Sequence, residues 1–93
     1  MMREMSEWHI RFEGQVQKVG FRSTVKRLAV SLQVVGFVRN CPDGAVEVCA
    51  QGIEQILQSF VDQIRSRPGQ ASIEHVFVEK VNPAVRYLSF DIR

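Results

Sequence analysis

The stretch EWHIRFEGQVQKVGFRSTVKRLAVSL, Glu7–Leu32, changes its hydrophobic period halfway along. From Glu7 to Glu13 the residues alternate. Trp8, Ile10 and Phe12 fall on one face, and Glu7, His9, Arg11 and Glu13 on the other. A period of two is the pattern of a half-buried β-strand. From Phe21 the apolar residues Phe21, Val25, Leu28, Ala29 and Leu32 recur at helical spacing, which predicts an amphipathic helix. Between the two lies GQVQKVG, Gly14–Gly20, a short connection bounded by glycines. A strand turned so directly into a helix is the opening of a β-α-β unit, so the rest of the chain must supply the partner strands.

Working outward, Val35–Asn40 reads as a second strand and Ala45–Gln51 as a third, with Val46, Val48 and Ala50 facing one way. Cys41-Pro42-Asp43-Gly44 between them is turn chemistry, so the two form a hairpin. Ile53, Ile56, Leu57, Phe60, Val61 and Ile64 make the apolar stripe of a second helix, which Arg67-Pro68-Gly69 ends. Ile73–Val81 predicts a fourth strand whose imperfect alternation points to a bulge. After Asn82-Pro83, Tyr87–Ile92 predicts a short fifth strand with Leu88, Phe90 and Ile92 inward. The order β-α-β-β-α-β plus a terminal strand predicts an α+β, ferredoxin-like split β-α-β sandwich. Its expected antiparallel sheet has order 4-1-3-2 with a short extra C-terminal strand and both helices on one face. Gly14 and Asn40, the ends of strands one and two, would then lie about 10 Å apart, two strand spacings.

Length and composition bound the rest. The 93 residues predict a single domain spanning 1–93. The net charge of +2 suits an anionic ligand, but the charges are scattered rather than clustered, which argues against nucleic acid. There is no apolar run of membrane-spanning length, so no membrane association is expected. MMREMSEW holds no apolar export segment, which reads as a cytoplasmic protein. Cys41 and Cys49 read as free thiols, Cys49 as an exposed one beside Glu47 and Gln51. His9 and His75 are isolated, and no His, Cys and carboxylate spacing suggests a metal, so neither metal nor cofactor is expected. Lys26, Arg27, Arg65 and Arg67 read as solvated helix charges.

The connection carries the chemistry. Gln15, Val16, Gln17, Lys18, Val19 and Gly20 precede a helix N-terminus, where unpaired backbone N–H groups and the positive end of the helix dipole attract anions. Glycine permits the dihedrals that let successive N–H groups converge. Arg22 opens the helix and can fork two N–H groups onto a phosphate or carboxylate. No Asp or Glu occurs from Gly14 to Leu32 to repel one.

Gly14, Val16-Gln17, Val19 and Phe21-Arg22 resemble the phosphate-loop signature of the acylphosphatases. Val35-Gly36-Phe37-Val38-Arg39-Asn40 followed by Pro42-Asp43-Gly44-Ala45-Val46-Glu47 resembles their second motif, with Phe37 where tryptophan is usual. Phe90-Asp91-Ile92-Arg93 is similar to the family's ending, so the resemblance covers nearly the whole chain. It implies the same ferredoxin-like fold and the hydrolysis of acyl phosphates to a carboxylate and inorganic phosphate. It implies that Arg22 binds phosphate, that Asn40 positions the attacking water, and that the Gln15–Gly20 backbone is the cradle. Three positions depart from the family pattern. Lys18 replaces a loop glycine, Val25 a hydroxyl residue early in the first helix, and Gln33 a helix-ending glycine.

Two other functions compete on the residues alone. One is a phosphate- or carboxylate-binding module without turnover, which Lys18 would favour. The other is an RNA-binding ferredoxin-like domain, which needs aromatic side chains exposed on the central strands. Trp8 and Phe12 share the buried face with Ile10 and argue against it. A monomer acting on a small-molecule acyl phosphate is the expectation.

Overall fold

The computed structural model describes residues 4–93; Met1–Arg3, part of the stretch read for export, lie outside the described residues. The elements are β1 (Ser6–Gln15), α1 (Phe21–Ser31), β2 (Val35–Asn40), β3 (Val46–Gly52), α2 (Glu54–Ser66), β4 (Ser72–Val81) and β5 (Phe90–Ile92). The sheet order is β4-β1-β3-β2-β5. The first four strands pair antiparallel, and β5 joins β2 in parallel. This is the expected ferredoxin-like order 4-1-3-2, extended by the terminal strand.

The alternation of β1 decides the layers. Trp8, Ile10 and Phe12 pair with Ala50, Val48 and Val46 of β3, and all six side chains are buried in one core. Against them pack Phe21, Val25 and Ala29 of α1 and Leu57, Phe60, Val61 and Ile64 of α2. Burying a side chain such as Phe12 or Phe21 stabilises the fold by roughly 1.5–3 kcal/mol each. Their rings also meet edge to face at 5.3 Å. Phe12 lies near the end of β1 and Phe21 begins α1, so this contact holds both ends of the connection between them.

The predicted bulge is present. Glu13 faces His75 and Gly14 faces Ile73, so Glu74 is the extra residue on β4. Gly14 has φ 131°, and a Cβ there would sit 2.3 Å from the Ser72 carbonyl oxygen. Asn40 pairs with Val46, which pairs with Phe12 on its other side. The level of Asn40 is therefore two strand spacings, about 10 Å, from Phe12. Gly14 lies two residues further on, a correction to the pairing expected above.

Two further expectations are corrected, both because the segment 82–89 travels from one edge of the sheet to the other across the face opposite the helices. Regular strand structure is limited to Phe90–Ile92, and Leu88 is 92% exposed rather than inward. Ile92 is also exposed, and of the three only Phe90 enters the core. Cys49, read as an exposed thiol, is buried at 6% exposure. The fully buried Gln51 amide pins the crossing segment. Its Nε2 donates to the Val85 carbonyl at 2.6 Å and to Glu7 Oε1 at 2.7 Å, and its Oε1 accepts from Tyr87 N–H at 3.0 Å.

Candidate active site

The connection leaves β1 at Gln15 and adopts two left-handed residues, Lys18 (φ 63°) and Gly20 (φ 75°). Gly20 is the N-cap of α1, and no side chain caps the helix there. The first turn contains no acidic residue. The helical ladder begins with Thr24 N–H to the Gly20 carbonyl at 3.2 Å. The N–H groups of Phe21, Arg22 and Ser23 precede it and form the positive end of the helix dipole. Left-handed residues at Lys18 and Gly20, just before a helix N-terminus, suit an anion nest, in which successive N–H groups gather on one point.

Beside the helix N-terminus lies a cavity of about 110 Å³ lined by Val16, Lys18, Gly20, Phe21, Arg22, Ser23, Asn40 and Ile92. A water occupies about 30 Å³ in the liquid, so the cavity is of the size of a small ion rather than of a large ligand. A larger cavity of about 660 Å³ lies on the open face of the sheet. The helix N-terminus and Arg22 open onto the smaller one, and volume alone selects no chemistry.

Each side chain has a local reason for its place. Arg22 is half-buried in the first turn of α1, and its Nη1 donates to the Arg93 main-chain oxygen at 3.1 Å. Arg93 N–H in turn donates to the Val38 carbonyl at 2.8 Å, and its guanidinium stacks on the Phe37 ring at 3.9 Å. The residue that follows β5 thus braces Arg22. Asn40, the last residue of β2, is exposed, and its amide makes no hydrogen bond to another side chain among the described residues. Lys18 is exposed at the rim.

Of the residues read from sequence, Val16, Lys18, Gly20, Arg22 and Asn40 share the cavity wall, while Gln15, Gln17 and Val19 do not line it. Gln15 is the exposed end of β1, opposite Ser72, and Val19 packs on the core. Gln17 points away from the cavity. Its Nε2 donates to the Cys41 and Ala45 carbonyls, both at 2.8 Å. It fastens the loop to the hairpin one residue past Asn40, a tie that no local pattern announces. Asp43 in that hairpin accepts from Ala45 N–H at 3.2 Å and pairs with Arg11 of β1. The Arg11 guanidinium and the Ala45 N–H hold its carboxyl below the ordinary aspartate value. The sequence also missed Ser23 and Ile92, which complete the wall.

The acylphosphatase family model matches residues 8–92. The chain is 47% identical to an acylphosphatase of Pediococcus pentosaceus over 64 residues, 69% of this chain and 71% of that one. It is 42% identical to an acylphosphatase of Thermotoga petrophila over 79 residues, 85% of this chain and 88% of that one. The crystal structure of acylphosphatase from Bacillus subtilis superposes with TM-score 0.90 at 31% identity, covering 97% of this chain and 99% of that one.

Proposed function

This chain belongs to the acylphosphatase family, and from that premise we propose how its own residues divide the work. The reaction is hydrolysis of the carboxyl–phosphate bond of an acyl phosphate to a carboxylate and inorganic phosphate. The transferred phosphoryl group sits in the 110 Å³ cavity. Its oxygens take the N–H groups of the Val16–Ser23 backbone and the fork of Arg22. Asn40, across the cavity, both donates and accepts, and so orients a water toward phosphorus.

The water oxygen bonds to phosphorus as the bond from phosphorus to the acyl oxygen breaks, and the electron pair leaves with the carboxylate. One water proton passes to a phosphoryl oxygen, so an acyl phosphate dianion becomes a carboxylate and dihydrogen phosphate. A carboxylate with a conjugate-acid pKa near 4 leaves without help from a general acid. Stabilisation of charge on the phosphoryl oxygens and placement of water carry the rate. Backbone N–H groups and a guanidinium supply that stabilisation, so no divalent cation is required for turnover.

The observation that carries this reading is one small cavity shared by a helix N-terminus without acidic residues, Arg22 and Asn40. The test is release of carboxylate from an aryl acyl phosphate with chelator present. Turnover is expected to persist in chelator, and Asn40→Ala to lower kcat far more than it raises KM. A large rise in KM with kcat intact would assign Asn40 to substrate binding instead.

The same reading makes the protein a single-domain, monomeric, cytoplasmic enzyme. Both thiols are free, which fits a reducing compartment. The outer strand β4 carries Glu74, Glu79 and Lys80, charges that discourage edge-to-edge pairing. No described helix is long and apolar enough to cross a membrane.

A further inference from the structure

We propose that Glu7, His9 and Cys49 form a binding site for a divalent transition-metal ion of the zinc type, on the sheet face opposite the helices. The three residues are separated in sequence, and strand pairing brings them together. His9 of β1 and Cys49 of β3 are direct cross-strand partners, and Glu7 lies two residues along the same face. The carboxylate oxygen, the imidazole nitrogen and the thiol sulfur all lie within 4.8 Å of one another.

The ligand types point to the ion. An imidazole, a thiolate and a carboxylate are a mixed nitrogen, sulfur and oxygen set, which suits zinc or cobalt and poorly suits calcium or magnesium. Two anions and a neutral imidazole would balance a dication, so the charge of the largely buried Glu7 would gain a full partner. At metal–ligand distances of about 2.0–2.3 Å, tetrahedral ligands stand about 3.3–3.6 Å apart. The 2.6 Å contact between His9 Nε2 and Glu7 Oε2 would therefore open by somewhat less than 1 Å. His9 is exposed and can make that move by side-chain rotation.

An outer partner already orients the Glu7 carboxylate, as such partners do around metal centres. Gln51 Nε2 holds the other Glu7 oxygen at 2.7 Å, and Glu79 Oε1 lies 3.8 Å from His9 Nδ1. The Tyr87 side chain lies beside the Cys49 thiol. All three ligands line the 660 Å³ cavity, so an ion has an entry path and a fourth, open position for water. That cavity shares no lining residue with the 110 Å³ phosphate cavity. The ion would be bound apart from the reacting phosphate, bridging β1 and β3, and turnover would not require it.

Titration of the full chain with Co²⁺, in buffer free of phosphate and added thiol, tests the site. The expected result is a saturable sulfur-to-cobalt charge-transfer band at one equivalent, displaced by Zn²⁺. Cys49→Ser should lose the band, and His9→Ala should weaken binding tenfold or more, while Cys41→Ser binds as the parent does. His9 is exposed, so His9→Ala separates loss of a ligand from loss of the fold, with the melting temperature as control. Absence of a saturable band in the parent protein would overturn the proposal. So would a band that survives in Cys49→Ser, or unchanged affinity in His9→Ala.

Discussion

Replacing Lys18 by glycine separates the work of the loop backbone from that of the side chain. Lys18 has φ 63°. A residue with a Cβ pays roughly 1–2 kcal/mol to hold that conformation, and glycine does not. Glycine in turn loses about 0.4–1 kcal/mol because the unfolded chain gains freedom. The difference leaves Lys18→Gly between neutral and about 1.6 kcal/mol more stable, or up to about 6–13 °C in Tm for a domain of this size. On function, the variant keeps the converging N–H groups and loses one exposed cation at the cavity rim. We expect kcat/KM on an aryl acyl phosphate to change by less than about tenfold, 1.4 kcal/mol. The inhibition constant of inorganic phosphate should shift within the same limit, and less at high ionic strength, where an exposed charge is screened. The assays are thermal unfolding, steady-state kinetics and phosphate inhibition at two salt concentrations. A clear fall in Tm would refute the strain argued for Lys18, and a loss of activity beyond tenfold would refute the claim that the backbone rather than the lysine holds the anion.

Gln17→Ala removes two hydrogen bonds that tie the loop to the β2–β3 hairpin. At about 0.5–1.5 kcal/mol each it should cost roughly 1–3 kcal/mol in urea unfolding. It should also lower kcat/KM by up to about a hundredfold, because Asn40 loses its register with the loop; unchanged kinetics would deny Gln17 a positioning role. Asp43 has a folded pKa below its unfolded value near 3.8, so its contribution to stability is present above that pH and lost as the pH falls through the lower folded value. Urea midpoints should therefore favour the parent over Asp43→Asn at pH 6 and converge with it below about pH 3.8, whereas a gap independent of pH would exclude the carboxylate charge as its source.

The parts of this molecule legible in sequence are those governed by near neighbours. The alternation Trp8-Ile10-Phe12, the stripe from Phe21 to Ala29 and the Cys41–Gly44 turn each state their own structure, and their order leaves few topologies. Lys18 and Gln33 were also visible as departures at glycine positions, and both adopt positive φ, at 63° and 60°. What was not legible depends on chain far away. Cys49 and Glu7 sit on the polar side of their strands by alternation, yet are buried because the segment 82–89 crosses above them, pinned by Gln51. Leu88 fits an inward pattern, but that segment turns it to solvent. The closeness of Glu7, His9 and Cys49 is likewise a product of strand register, which sequence spacing does not display. At the 110 Å³ cavity, Arg22 and Asn40, named from motif and topology, share one wall. The ties that hold them, through Arg93 and Gln17, join residues distant in sequence.

If Arg22 and the loop N–H groups stabilise the transferred phosphoryl group, Arg22→Ala measured beside Arg22→Lys will show it. The side chain also donates to the Arg93 main-chain oxygen, so both variants are compared at equal folded fraction, checked by thermal unfolding. Arg22→Ala should lower kcat/KM by about a hundredfold or more, the scale for removing a preorganised charge stabiliser. Little recovery is expected in Arg22→Lys, since an ammonium cannot fork two oxygens. Near-parental kcat/KM in both folded variants would contradict that role of Arg22.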